Sequence, residues 1–132
     1  MYLLDTNACI RVLNKTSPRL VTRLRRHQPW QVHLCSLVKA ELLYGAWHSS
    51  RIEENLQTLE RFFAPFSSLP FDDPCAEHYG KIRAALVEAG TPVGPNDMLI
   101  AATARAHGLV LVTHNVEELS RIPDLEIEDW EE

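Results

Sequence analysis

Most acidic side chains of this chain fall on polar helix faces or near the C-terminus, but three do not. Asp5 ends the apolar run "YLL", Glu41 sits among Val38, Ala40, Leu42 and Leu43, and Asp97 opens "NDMLIAATA" just ahead of an apolar stretch. Each is expected to be partly buried at the end of a structural element. A buried carboxylate is costly unless it is paired or coordinates a cation. No Lys or Arg is placed to pair with all three; Lys39 lies two positions before Glu41 in sequence but points to another side of a helix. Three such acids gathered at one sheet edge would repel one another and raise their own pKa values. A divalent cation resolves that conflict, and an all-oxygen donor set without sulfur favours Mg²⁺ or Mn²⁺. Such an ion acidifies a bound water and neutralises phosphate charge, which is the chemistry of phosphodiester hydrolysis. Each acid also has a purely structural alternative: Asp5 as a helix cap, Glu41 as a surface glutamate, Asp97 as an acid in a first helical turn.

The elements that must position these acids are legible as alternation. Short apolar runs, "YLL", "VHLC", "SSLPF", "LVLVT" and "LEI", read as strands. Longer stretches with helical spacing lie between them. These are "PRLVTRLRRH", "SLVKAELLYGAWHSS" with Ser36 as N-cap, and "RIEENLQTLERFFAPF" ending near Pro65. "DDPCAEHYGKIRAALVEAG" is capped by Asp72 or Asp73 and leaves through Gly90, while "PNDMLIAATARAHG" starts at Pro95 or Asn96 and stops at Gly108. Strands alternating with helices imply an α/β fold with a parallel sheet covered on both faces. Ligand sites in such folds lie at the carboxyl ends of the strands. "LLDTN" and "LVTHN" are both apolar runs ending in short polar residues, so two strands deliver ligand-capable groups there.

The bulk properties narrow the function. The 132 residues suffice for one domain with a proper core. No apolar run is long enough for a transmembrane helix, and the N-terminus lacks the basic region of a signal peptide. Cys9, Cys35 and Cys75 are odd in number and embedded in apolar segments, so they read as reduced core thiols of a cytoplasmic protein. The absence of CxxC and HExxH argues against a thiolate zinc site. The net charge of −5 argues against a nucleic-acid partner until its distribution is considered: residues 1–66 carry +4 and residues 67–132 carry −9. In the basic half, Arg19, Arg23 and Arg26 fall on one helical face, a candidate phosphate-steering patch as well as an ordinary solvated one. The acidic end "EIEDWEE" reads as solubilising surface.

Taken in order, "LLDTN", "SLVKAELLYGA", "GPNDMLIAATARAHGLVLVTHN" and "EIEDW" resemble a PIN-domain ribonuclease, specifically a VapC-type toxin of a toxin–antitoxin pair. The resemblance covers nearly the whole chain, residues 1–132, as one domain. It implies a three-layer α/β/α fold with a central, mostly parallel sheet, and Mg²⁺- or Mn²⁺-dependent endoribonuclease activity. By position, Asp5, Glu41 and Asp97 match the family's metal-binding acids, and Thr6, Asn7 and Thr113 match its polar neighbours. Asn96 is a helix cap first and a site residue second. The family often carries a fourth acid after the late strand, where this chain has Asn115; Glu117 and Glu118 follow, and Glu118 is the candidate replacement. The implied partners are a cognate antitoxin, a second copy in a homodimer, and RNA, with the anticodon stem-loop of initiator tRNA favoured. Tyr44 and Trp47 share a helix face beside Glu41 and suit a dimer or antitoxin contact.

The mechanism expected is in-line attack by a metal-activated water, giving a 5′-phosphate product. A catalytically inactive binding module of the same fold is the alternative, motivated by Asn115. A phosphoacceptor receiver-like domain ranks below both, because "LLDTN" has a single acid and "LVTHN" no lysine.

Overall fold

The computed structural model describes all 132 residues. Strand β1 (Tyr2–Leu4) runs into helix α1 (Thr6–Asn14), α2 (Pro18–Arg25) and a short 3-10 turn at Pro29–Gln31. Then come β2 (Val32–Cys35), α3 (Ser36–Trp47), α4 (Ile52–Phe63), β3 (Ser67–Leu69), α5 (Asp73–Ala89) and α6 (Pro95–Ala106). β4 (Val110–Val112), α7 (Val116–Leu119) and β5 (Ile127–Glu128) complete the chain. All five expected strands form, and they pair in parallel in the order β3-β2-β1-β4-β5.

Successive residues of a strand point to opposite faces of the sheet. Leu3 and Leu4 are both fully buried, as are Leu34 with Cys35 and Leu111 with Val112. Both faces are therefore covered, which makes a three-layer α/β/α domain. All three cysteines are free and buried, as core thiols. No helix is long and apolar enough to cross a membrane.

Strand order places the site. From β1 the chain builds outward to β2 and β3, then returns to lay β4 and β5 on the other flank. The connections leaving β1 and β4 therefore diverge, and a crevice opens at the carboxyl ends of this adjacent pair. The Asp5 N–H donates to the Val112 carbonyl at 3.1 Å, so the β1–β4 ladder holds Asp5 at that crevice.

Several expected details differ. Ser36 is the first residue of α3 and does not cap it. The preceding Cys35 is still extended (φ −133°, ψ 163°), so strand passes directly into helix with no side-chain cap. Asn96 does not cap α6 either. Pro95 takes the first helical position, where its fixed φ and missing N–H are tolerated, and Gly94 becomes the cap residue. Helix α7, four residues long, was not anticipated. The C-terminal acidic segment is no solubilising tail. Ile127–Glu128 is a strand, Trp130 is buried at 1% exposure, and its indole N–H donates to Glu128 at 3.0 Å.

Candidate metal and phosphodiester site

Asp5 combines the two roles open to it. Its Oδ1 accepts from the Ala8 N–H at 2.8 Å, capping α1, while the residue sits buried at the end of β1. Burial pushes its carboxyl above the usual range; hydrogen bonds from Ala8 N–H and the Thr113 hydroxyl oppose this, and the charge of Asp97 adds to it. Thr113, itself buried at the end of β4, also accepts from the Asn115 N–H at 3.0 Å.

Asp97 is the third residue of α6 and half-buried. Its carboxyl is likewise held above the usual range, first by burial and then by the charges of Glu118 and Glu41, with a hydrogen bond from Asn115 opposing. Glu118 is thus electrostatically part of the cluster, and Asn115 orients it: Asn115 Nδ2 donates to Glu118 Oε2 at 3.2 Å. Glu117, on the same short helix, is exposed and pairs loosely with Arg121 at 3.9 Å. Glu41, in the middle of α3, accepts from the Thr6 hydroxyl at 2.8 Å. Asn96 lines a hollow with Leu37, Ala40, Glu41 and Tyr44, so it reaches the rim of the site. Asn7 is exposed in the first turn of α1, with no side-chain bond to the acids.

Asp97 is therefore coupled to Asp5, Glu41 and Glu118, but the oxygens of these four acids do not close to within 4.8 Å as a group. Two other groupings do: Asp72, Cys75 and His107, and His114, Asp129 and Glu131. Local structure accounts for both. Asp72 is the cap of α5, accepting from Cys75 N–H at 3.3 Å. His114 Nδ1 meets Asp129 Oδ2 at 2.8 Å, and Glu131 is bridged to Arg11 at 3.2 Å, so these charges neutralise each other.

The cation nearest to Asp5 in effect is Arg11, which sequence reasoning passed over. Its charge slightly lowers the Asp5 pKa, yet its guanidinium is committed to Glu131. The only sequence signal is its position on α1, and the partner lies 120 residues away.

The arginine face on α2 is split. Arg19 and Arg26 are exposed, whereas Arg23 is not free to steer phosphate. Its guanidinium donates to the Asp129 carbonyl at 3.1 Å, lies 3.6 Å from Glu128, and stands over the Trp130 ring. The C-terminal segment has taken it.

An acid cluster at the switch point of a β3-β2-β1-β4-β5 parallel sheet defines a class, and the comparisons agree. The chain belongs to the PIN-domain family, whose model matches residues 2–125. Within that family it sits among the VapC ribonucleases. It is 41% identical over 129 residues to the tRNA(fMet)-specific endonuclease VapC of Salmonella typhimurium, covering 98% of this chain and 97% of that one. It is 36% identical over 132 residues to ribonuclease VapC2 of Rickettsia felis, covering 99% and 98%. Among solved structures, DNA-bound VapBC from Salmonella typhimurium superposes with a TM-score of 0.92 at 40% identity, over 98% of this chain and 97% of that one. Rickettsia felis VapBC2, bound to a promoter DNA fragment, gives 0.91 at 35% identity over 98% of each chain.

Proposed function

We propose that this protein is the toxin of a toxin–antitoxin pair and a Mg²⁺- or Mn²⁺-dependent endoribonuclease, with initiator tRNA, cut in its anticodon stem-loop, as substrate. The observation that carries this reading is the meeting of Asp5, Asp97 and Glu118 with Glu41 at the β1–β4 crevice, with no basic side chain committed to them. The donor set fits the metal. It is all oxygen, and the two carboxyls raised by burial and mutual repulsion are those a cation would relieve. A bound divalent ion would supply an acidified water and charge neutralisation at the phosphate.

The chain's own groups do the rest. Asp5 and Asp97 would hold the ion, each placed at the start of a helix. Glu41, restrained by the Thr6 hydroxyl, would accept a proton from the attacking water or bind the ion directly. Glu118, aimed by Asn115, would supply the fourth carboxylate. Thr113 favours the charged form of Asp5 by donating to it, against the larger effect of burial. Arg19 and Arg26 remain exposed and able to attract the RNA backbone.

The tRNA assignment is supported by full-length relatives named as tRNA(fMet)-specific endonucleases. The antitoxin partner is supported by structural neighbours solved as VapBC complexes. Tyr44 and Trp47, 67% and 63% exposed on α3, suit contact with the antitoxin or a second copy in a homodimer. Three unpaired thiols suit a reducing cytoplasm. The inactive-module reading rested on Asn115; the contact of Asn115 with Glu118 and the coupling of Glu118 to Asp97 support Glu118 as the replacement acid.

The test is cleavage of a labelled total tRNA pool by purified, antitoxin-free protein, with Mn²⁺, with chelator, and with Asp97→Asn in parallel. Metal-dependent cutting of one or a few species, lost in the variant and leaving a 5′-phosphate, is expected. A 2′,3′-cyclic phosphate product, or full activity in Asp97→Asn, overturns the reading.

A further inference from the structure

The two acids contributed by the second half of the chain, Asp97 and Glu118, ride on segments with little intrinsic support. Helix α6 is preceded by Gly94, which has no side chain to cap it, so the first turn, which carries Asp97, lacks a side-chain cap. Helix α7, carrying Glu118, is only four residues long and also lacks a side-chain cap. Such a helix has no stability by itself. Yet these carboxylates repel each other, and burial disfavours the charge of Asp97. Something must hold the two segments together.

Asn115 links the two carboxylates through its side chain, and a second residue, Arg121, ties the two segments through their backbones. The Arg121 backbone N–H donates to the Glu118 carbonyl at 3.1 Å, closing the turn after α7. Its guanidinium Nη1 donates to the Pro92 carbonyl at 2.9 Å, across 29 residues of sequence. Pro92 lies in the loop leading into α6, next to Val93, which is buried in the core. The side chain is about one-third exposed, and its pairing with the exposed Glu117 at 3.9 Å contributes little. A guanidinium suits this task because its charge is permanent and its fork of donors is rigid.

We infer that Arg121 is a positioning residue for the acid site: it ties the α7 segment to the α6 lead-in and so sets the spacing of Glu118 and Asp97 at the metal. This rests on the metal reading above. Arg121 touches neither carboxylate and acts through the backbone of both segments. Outer partners of metal ligands commonly change metal affinity by about ten- to a hundredfold when removed.

A control lies at the other end of α6. Arg105 there makes the same kind of bond, donating to the Pro123 carbonyl at 2.8 Å, and a further one to His78 Nδ1 at 2.8 Å. Mn²⁺ affinity, measured by calorimetry on the full chain, should fall by roughly tenfold or more in Arg121→Ala. It should fall less in Arg121→Lys, which keeps one donor and the charge, and stay at the wild-type value in Arg105→Ala. Cleavage by Arg121→Ala should recover at saturating Mn²⁺. Wild-type Mn²⁺ affinity in both Arg121 variants overturns the inference, as does an equal loss in Arg105→Ala, which would mark general loosening of α6. If Arg121→Ala does not fold, the comparison of Arg121→Lys with Arg105→Ala decides. Failure of the wild type itself to bind Mn²⁺ overturns the metal reading, and this inference with it. Binding by the wild type that is lost in Asp97→Asn but unchanged in Arg121→Ala overturns this inference alone.

Discussion

The hydroxyl of Thr6 donates to Oε1 of Glu41 at 2.8 Å, joining the first turn of α1 to the middle of α3 across 35 residues of sequence. That bond gives Glu41 a fixed orientation, because its own helix offers none: its neighbours Val38, Leu42 and Ala46 are packed into the core. A charge-accepting hydrogen bond of this kind is worth about 1.5–3 kcal/mol. Thr6→Val keeps the shape and removes the donor. Single-turnover cleavage should slow by roughly ten- to a hundredfold, while Thr6→Ser should remain near wild type. Equal rates for the Val and Ser variants would remove Thr6 from the site.

Asp97→Asn should abolish cleavage and at the same time raise the melting temperature of the metal-free protein. The direction follows from the charges: burial, Glu118 and Glu41 all disfavour the Asp97 carboxylate, and the amide removes it. Adding Mn²⁺ should then stabilise the wild type and leave the variant's melting temperature unchanged, since a ligand stabilises only the form that binds it. Scanning calorimetry with and without the metal checks both.

Trp130→Ala should destabilise the domain by about 3–5 kcal/mol, the cost of emptying a large core site. The indole is 1% exposed and stacks on His27 with centroids 4.8 Å apart, with Tyr2 edge-on at 5.0 Å. Urea unfolding measures it. A change near zero would mean that the C-terminal segment is not docked in solution.

His114 supplies a pH dependence. Its hydrogen bond and charge pairing with Asp129, helped by Glu131, hold its pKa above the ordinary 6.5. A histidine raised in the folded state adds stability that is fully present below its unfolded pKa and is lost as the pH climbs through the raised value. The docking of the C-terminal segment should therefore weaken from about pH 6.5 upward. NMR titration of the His114 ring should show the elevated pKa, and Asp129→Asn should return it toward the ordinary value.

Much of the site was readable in advance because it depends on short-range rules. An Asp that ends an apolar run must either cap or bind, and Asp5 caps α1 while standing within the acid cluster. Glycine exits and proline starts behaved as their φ preferences require: Gly90 closes α5 at φ 68° and Pro95 opens α6. The misreadings share a cause as well. Asn96 looked like a cap because caps favour Asn, but Pro95 claimed the first helical position and moved the boundary back to Gly94. The arginine face of α2 looked uniform because helical spacing says nothing of what packs against it from residues 128–130.

The residues alone determined the alternation of strands and helices, the burial of both faces of the central strands, and the three acids without counter-cations. Those properties follow from side-chain polarity at periods of 2 and 3.6, which any local window contains. Tertiary structure decided which strands adjoin, and so which acids share a crevice. It brought Glu118 to Asp97, Thr6 to Glu41 and Arg121 to Pro92, and it gave Arg23 to the C-terminal segment. Each of these is a contact between residues far apart in sequence, made only once the strands take the order β3-β2-β1-β4-β5.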